Sequence, residues 1–249
     1  MALYNTEAIV IRVRDFDEAD KIVVLLSRDE GKIQAVAKGA RRPRNRYAAA
    51  AQIFTHVKAA LYSGRSLDTL SQIDIEEPFR HLREDLVRMA YGTYACELMD
   101  EMVRDHQKVE AGYLLLLATL HLLNEETYEP EPIIRAYELK LLSILGFRPS
   151  LAECVSCGGD TDGEGPVRFS PALGGVLCPH CSGEGEAVHR LNRGTLETMK
   201  RLLEGDLRRV HMIRISREMA MEMDRVLSDY IGQRLERKLR SKDFLDSLR

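Results

Sequence analysis

The first 77 or so residues contain short apolar runs that alternate in part with polar residues. The runs are rich in Ile and Val and are separated by turn-forming stretches such as RDEG and SGRS, which favours strands over helices. Five strands in so short a segment fit a small closed barrel, and the OB-fold is the common five-stranded barrel that binds nucleic acid. The predicted strands cover residues 6–13, 21–27, 32–38, 53–63 and 67–75.

The hydrophobic period lengthens after Pro78. Apolar side chains such as Leu82, Leu86 and Met89 recur at the spacing of one face of a helix. A proline opens one of the later segments and Gly146 closes it, as expected for helix ends. We therefore expect a helical bundle, with helices over residues 79–105, 111–126, 132–146, 193–204 and 217–240.

Residues 147–187 interrupt this helical pattern. The stretch is rich in Gly and Pro, poor in aliphatic residues and too polar to form a core by itself. Because helices are predicted on both sides of it, we interpret it as an insertion into the helical domain.

Four of the five cysteines lie in this insertion, as CVSC and CPHC with twenty residues between the two pairs. A Cys-x-x-Cys pair directs two thiolates at one ion, and two such pairs complete the tetrahedron that zinc accepts. The predicted ligands of one structural Zn²⁺ per chain are Cys154, Cys157, Cys178 and Cys181. Four thiolates leave no open position for water or substrate, so the zinc is expected to fold the segment rather than to catalyse.

Other interpretations of the insertion remain open at this point. The cysteine pairs could form a redox dithiol system or bind a different metal, and His180 could replace a cysteine as ligand. The acidic stretch DTDGEG, residues 160–165, resembles a calcium loop but lacks the glutamate at the twelfth loop position and flanking helices, which favours a turn.

The predicted fold class is an α+β multidomain protein with an N-terminal OB-fold β-barrel, a helical bundle domain and an inserted four-cysteine zinc module. The predicted domains are 1–78 for the barrel, 79–149 and 188–249 for the two parts of the helical domain, and 150–187 for the zinc-ribbon-like insertion.

Catalytic motifs are absent from the sequence. It contains no phosphate-binding loop, dinucleotide motif, metalloprotease motif or serine-hydrolase motif. The seven histidines are scattered, and Cys96 lies among apolar neighbours where a thiol usually acts as a small buried side chain. We expect a protein that is not an enzyme, and we predict no catalytic residue.

The location of the protein is predicted from two further absences. The N-terminal residues lack the features of a secretory signal, and no apolar stretch is long enough to span a membrane. We therefore expect a cytoplasmic protein, associated with the nucleoid if it binds DNA, with no membrane partner.

Charge is distributed unevenly along a chain whose formal net charge is −3. Residues 31–67 carry eight Lys and Arg and no Asp or Glu, and five of these cations fall in KGARRPRNRY, residues 38–47. An uncompensated cationic segment attracts phosphates. Such a run can also be no more than a solvated face.

Arginine suits phosphate because its planar guanidinium binds two oxygens at once and stacks on bases. Tyr47, Phe54 and Tyr62 are interleaved with the cations, and exposed rings among them would stack on single-stranded bases. We expect Arg41, Arg42, Arg44 and Arg46 to make most of the contact. The complete predicted DNA-binding set is Lys32, Lys38, Arg41, Arg42, Arg44, Arg46, Tyr47, Lys58 and Arg65.

Four sequence stretches in this order resemble the RecO family of bacterial recombination mediators. They are the GK-x-x-x-VAKGARR pattern of residues 31–42, LGF-x-P-x-L-x-x-C-x-x-CG of 145–158, FSPALGGVLCPHC of 169–181 and LRSKDFL of 239–245. The resemblance covers almost the whole chain.

This resemblance implies an N-terminal OB-fold, a helical domain and an inserted four-cysteine zinc module. It also implies binding of single- and double-stranded DNA and annealing of complementary strands. With RecR, and sometimes RecF, such a protein helps RecA displace single-strand binding protein (SSB). The family binds the acidic C-terminal tail of SSB in its helical part, and the basic stretch Arg234–Lys242 is a candidate for that contact here.

Two other classes of function are compatible with the residues. A zinc-ribbon scaffold could bind RNA or an acidic protein through the basic loop, and a nuclease is a weaker alternative. Strand annealing separates a mediator from a scaffold, and a metal-dependent incision assay tests for a nuclease.

Overall fold

The computed structural model describes residues 2–42, 45–161, 166–181 and 188–248, without the side chain of Arg46. The chain divides into two compact units: unit 1 is Met1–Thr127 with Leu239–Arg249, and unit 2 is Tyr128–Lys238. This division does not test the four domain boundaries given above, which stay a prediction. Within the described ranges, no helix has both the length and the apolar character that crossing a bilayer requires.

Unit 1 begins with a closed five-stranded barrel. The strands follow one another around it in the order β1-β2-β3-β5-β4, and the β3–β5 pair is parallel whereas the other pairs are antiparallel. This OB-like barrel confirms the fold class predicted for the N-terminal part. Its strands are β1 (Leu3–Phe16), β2 (Asp20–Ser27), β3 (Gly31–Ala37), β4 (His56–Tyr62) and β5 (Asp68–Glu77).

The weak alternation of the second predicted strand has a structural cause. Val23 and Leu25 of β2 belong to the core of the barrel, but their neighbours Val24 and Leu26 are buried as well. Helices of unit 1 pack against the outside of β1 and β2, so both faces of these strands are covered. A strand covered on both faces has an apolar run instead of a period of two.

The described part of residues 1–127 also forms four helices, of which the first lies between β3 and β4, and the predicted helix 79–105 is in fact two of them. Asp85 has an extended backbone, and its side chain accepts a hydrogen bond from the backbone N–H of Arg88 at 2.9 Å, so it caps a new helix. The helices are α1 (Arg46–Ala50), α2 (Arg80–Glu84), α3 (Leu86–Met102) and α4 (Glu110–Asn124).

The segment between α3 and α4 runs close against β3. The backbone N–H of His106 donates to the carbonyl oxygen of Lys32 at 2.9 Å. Gly31 has a φ of 76°, and a Cβ there would lie 2.3 Å from the carbonyl oxygen of Gln107. Glycine is therefore required at residue 31 both by the left-handed backbone and by the close approach.

The described residues of unit 2 form three helices, a short 3₁₀ helix and a three-stranded antiparallel sheet of order β7-β6-β8. The fully buried Arg135 forms ion pairs with Glu138 at 2.8 Å and with Asp224, which ties its first helix to its last. The elements are α5 (Pro130–Ile144), β6 (Val167–Ser170), β7 (Gly175–Leu177), β8 (His189–Leu191), α6 (Arg193–Glu204), the 3₁₀ helix (Leu207–Met212) and α7 (Arg217–Gly232).

The predicted helix 217–240 was wrong beyond Gly232. The chain there leaves unit 2, and a separate helix, α8 (Arg240–Ser247), belongs to unit 1. The backbone N–H of Ser241 donates to the carboxylate of Glu97 in α3 at 2.8 Å. Residues 233–239, between the two helices, are not helical.

Candidate metal centre and nucleic-acid interface

The sulfur atoms of Cys154, Cys157, Cys178 and Cys181 all lie within 4.8 Å of one another. The Sγ atoms of Cys157 and Cys178 are 3.8 Å apart. Tetrahedral zinc with bonds of about 2.3 Å to sulfur places its ligands about 3.8 Å apart. The four thiols converge as a metal site requires, and His180 is exposed and outside this group.

Local backbone geometry shapes the first Cys-x-x-Cys turn. Gly158 has a φ of 71°, and its N–H donates to the carbonyl oxygen of Cys154 at 2.8 Å. The next N–H, that of Gly159, points at the sulfur of Cys157 at 3.4 Å. These turns direct N–H groups at the sulfurs, which stabilises negative charge on them.

The thiols affect one another's ionisation. Burial raises the pKa of Cys154, but hydrogen bonds from the backbone N–H groups of Cys178, Cys157 and Ser156 lower it to about 6. The thiols of Cys157 and Cys178 raise the pKa of Cys181 well above its ordinary value. Four thiols this close cannot all ionise unless a cation compensates their charge. The donor set therefore fits a soft divalent metal.

Arg168 on β6 braces the second Cys-x-x-Cys turn. Its Nη2 atom donates to the carbonyl oxygens of Cys178 at 2.6 Å and Cys181 at 2.9 Å. One guanidinium thus fixes the backbone at both ends of the turn and brings a positive charge beside the four sulfurs. Of the acidic stretch 160–165, only Asp160 and Thr161 lie within the described residues.

The cations of residues 31–67 differ from one another in burial and in their ion-pair partners. Lys32 is buried, and its ammonium lies 3.2 Å from a carboxylate oxygen of Asp100 and 3.4 Å from one of Asp105. Lys58 pairs with Glu76 at 3.1 Å. Carboxylates outside residues 31–67 thus occupy both lysines.

Tyr47 belongs to the barrel core. It is 7% exposed, and its hydroxyl donates to the carbonyl oxygen of Ser71 at 2.7 Å. Phe54 is fully buried, whereas Tyr62 at the end of β4 is 41% exposed. Of the three interleaved aromatic residues, only Tyr62 presents a ring for a base to stack on.

Three other predicted contacts, Lys38, Arg42 and Arg65, have exposed side chains, and no salt bridge to them occurs among the described residues. Arg41 is also exposed, and it lies 3.6 Å from the carboxylate of Asp15. We call Lys38, Arg41, Arg42 and Arg65 the basic surface. Of the other two predicted contacts, Arg44 and the side chain of Arg46 lie outside the described residues.

Strand β5 lies between the strands that precede the two parts of the basic surface. Val36 of β3 pairs with Thr69 of β5, which in turn pairs with Tyr62 of β4. Neighbouring strands lie about 4.8 Å apart, so this row is about 10 Å wide. Because β3 is parallel to β5 and β4 is antiparallel to it, the chain leaves this row in opposite directions, toward Lys38 after β3 and toward Arg65 after β4.

Family models match both parts of the chain. The model described as Recombination protein O N terminal matches residues 1–79, and Recombination protein O C terminal matches residues 83–243. A DNA repair protein RecO from Symbiobacterium thermophilum is 66% identical, over 100% of this chain and 99% of the relative. The chain belongs to the RecO family.

More distant RecO proteins match over similar lengths. The relative from Pelotomaculum thermopropionicum is 39% identical over 99% of this chain and 94% of its own. The relative from Moorella thermoacetica is 34% identical over 99% of this chain and 91% of its own. Both are described as DNA repair protein RecO. The resemblance inferred from sequence is therefore confirmed along the whole chain.

Three residues that contact the candidate sites of this RecO family member were not predicted from its sequence. Arg168 had a visible signal, since it is the single cation between residues 150 and 186. Asp15 and Asp20 contact the segment after β3, but they precede it in sequence by about twenty residues. No sequence pattern links these two aspartates to that segment.

Proposed function

We propose that this protein is a recombination mediator that acts by binding rather than by catalysis. It binds single- and double-stranded DNA, anneals complementary strands and, with RecR and in some settings RecF, helps RecA to replace SSB on single-stranded DNA. The observation that supports this most is the basic surface, since Lys38, Arg42 and Arg65 are exposed, as is Tyr62, on an OB-like barrel.

The proposed mechanism is electrostatic. The basic surface binds the phosphates of one strand, which lowers the repulsion that a second strand meets, and base pairing then supplies the specificity. Lys32, Lys58 and Tyr47 are left out of this contact, because the first two side chains are paired with carboxylates and the third is buried. Arg44 and Arg46 stay in the proposal on their sequence alone.

A charge-reversal pair tests the proposal. We expect Lys38→Glu/Arg42→Glu to lower affinity for labelled single-stranded DNA, to flatten its dependence on salt and to slow annealing of SSB-coated strands. The matched control is Lys58→Glu/Lys108→Glu, which makes the same change in charge at lysines paired with Glu76 and Glu30. Equal behaviour of the two variants would refute the proposed surface.

We propose that the four cysteines bind one structural Zn²⁺. The zinc supplies a cross-link between the two Cys-x-x-Cys turns, while the backbone N–H groups and Arg168 hold the turns in place. Elemental analysis of reduced protein should find about one zinc per chain, and none in Cys154→Ser/Cys157→Ser. Wild-type protein without metal would contradict the assignment.

For the SSB tail, a groove in unit 2 suits an acidic peptide better than Arg234–Lys242. Arg234 is already packed on the ring of Tyr230, 3.5 Å from its centre. The groove has a volume of about 590 Å³, and its lining includes Leu202, Val210, Met212 and Ile213, two arginines, Arg201 and Arg209, and two carboxylates, Glu204 and Asp206. We expect Arg209→Glu to weaken binding of an SSB tail peptide and Arg237→Glu to leave it unchanged, as measured by fluorescence anisotropy.

The scaffold alternative makes a different prediction. A protein that only joins partners would bind RNA or an acidic protein, but it would not accelerate pairing of SSB-coated strands. No acceleration by the wild-type protein would therefore favour the scaffold over the mediator.

A further inference from the structure

Residues 15–20, which form the turn between β1 and β2 and the strand ends beside it, include four acidic residues and lie against the basic surface. Asp17, Glu18, Ala19 and Asp20 line one shallow cleft together with Arg41 and Arg42. In OB-folds this turn is commonly part of the nucleic-acid contact. Here its charge is the same as that of DNA, so it cannot contact the phosphates favourably.

Three hydrogen bonds attach the segment after β3 to this turn. A carboxylate oxygen of Asp20 accepts from the backbone N–H of Gly39 at 2.7 Å. The backbone N–H of Arg41 donates to the carbonyl oxygen of Ala19 at 2.9 Å, and its guanidinium donates to that of Asp17 at 3.0 Å. Together they fix the backbone that presents Lys38, Arg41 and Arg42.

Asp15 makes a different kind of contact. Its carboxylate lies 3.6 Å from Nε of Arg41, and both side chains are well exposed. This carboxylate contributes no hydrogen bond to the backbone of the basic segment among the described residues. An exposed carboxylate beside Arg41 can compete with a DNA phosphate for the same guanidinium.

We propose that two aspartates of this turn regulate DNA binding in opposite directions. Asp20 is a positioning residue that orders the backbone of residues 38–42. Asp15 is a negative charge of the protein itself that competes with DNA for Arg41. The proposal rests on the proposed function, since it needs the basic surface to bind DNA. It adds a control on affinity that would keep the protein able to release a strand after annealing.

The test compares Asp15→Ala with Asp20→Ala, which make the same change in net charge. We expect Asp15→Ala to raise affinity for single-stranded DNA by about threefold at low salt, with a gain that shrinks as salt rises. We expect Asp20→Ala to lower affinity by about fivefold, because the hydrogen bond to Gly39 is lost. Asp20→Asn, which keeps an acceptor oxygen, should restore most of that loss.

A control separates these effects from net charge alone. Asp29→Ala removes one exposed carboxylate in the β2–β3 turn, at the other end of β2, and should change affinity by less than either variant. If Asp15→Ala and Asp20→Ala both raise affinity to the extent that Asp29→Ala does, the inference is wrong. If Asp20→Ala does not fold, unchanged affinity of Asp15→Ala is enough to overturn it.

Failure of the inference differs from failure of the proposed function. If Lys38→Glu/Arg42→Glu binds DNA as the wild type does, the basic surface itself is wrong and the inference falls with it. Alternatively, the double variant loses affinity while Asp15→Ala and Asp20→Ala change affinity in the same direction. In that case only the opposed roles of Asp15 and Asp20 are wrong.

Discussion

The ammonium of Lys32 lies 3.2 Å from a carboxylate oxygen of Asp100, 68 residues further along the chain. Arg12 reaches the other oxygen of the same carboxylate at 2.9 Å. The carboxylate is buried, so these two cations compensate a charge that would otherwise be costly inside the protein. Lys32 thereby joins β3 to α3, and we predict that it contributes to stability rather than to DNA binding.

Lys32→Met should lower the free energy of unfolding by about 3 kcal/mol, since it removes a partner of a buried carboxylate. Urea denaturation measures this, and affinity of the folded variant for DNA should be unchanged. Lys38→Met is the matched control. We expect it to keep the free energy of unfolding of the wild type and to bind DNA more weakly. A Lys32→Met variant of normal stability and weak DNA binding would contradict the assignment.

Tyr62→Ala should weaken binding of single-stranded DNA by about 1 to 3 kcal/mol, the value of one base stacked on an aromatic ring. Tyr62→Phe keeps the ring and should bind as the wild type does. Affinity for duplex DNA, whose bases are already stacked, should fall less. Anisotropy titrations with both kinds of DNA check this, and equal losses for both would exclude stacking.

Arg168→Met should reduce the affinity for zinc by about 10- to 100-fold, the usual effect of removing a residue that orients metal ligands. Competition with a chromogenic chelator measures the affinity. Arg190→Met is a suitable control, because Arg190 is exposed and pairs with Arg168 in strand register. Arg168→Lys should restore part of the loss, and equal zinc affinity for Arg168→Met and Arg190→Met would refute the role.

The unfolding free energy should fall as pH decreases below about 6.5, because burial lowers the pKa of His56. The carboxylate of Glu7, 3.0 Å away, opposes this shift but does not cancel it. The unfolded state then binds more protons than the folded state, so acid favours unfolding. In His56→Gln, chemical denaturation between about pH 5 and 7 should show a smaller dependence on pH; an unchanged slope would contradict this origin.

The metal centre could be predicted from the sequence because its determinants are local. Each Cys-x-x-Cys pair forms one turn, and the glycines beside the first pair supply the backbone it needs. The barrel was predictable for a similar reason, since strand periods and turn residues are short-range signals. Arg168 reaches the cysteines only because β6 pairs with the strand that precedes Cys178. The spacing of residues along the sequence does not show this pairing.

The proposed DNA-binding surface could be predicted from the sequence only in outline. Residues 31–67 lack carboxylates in sequence, but folding brings Asp100 to Lys32, Glu76 to Lys58 and Asp15 to Arg41. Counting charges along the sequence therefore overestimated the positive charge that residues 31–67 present in the folded protein. The predicted end of the helix at 217–240 was wrong for a similar reason. The helical period of apolar residues does not reveal which unit buries them.

The position of α8 has a consequence for how the protein is made. Unit 1 takes its last helix from Leu239–Arg249, so this helix is translated only after all of Tyr128–Lys238 has been synthesised. Until then, α3 on the nascent chain lacks the packing of α8 and the hydrogen bonds that Ser241 donates to Glu97. The unit that carries the basic surface is therefore completed last, although its synthesis begins first.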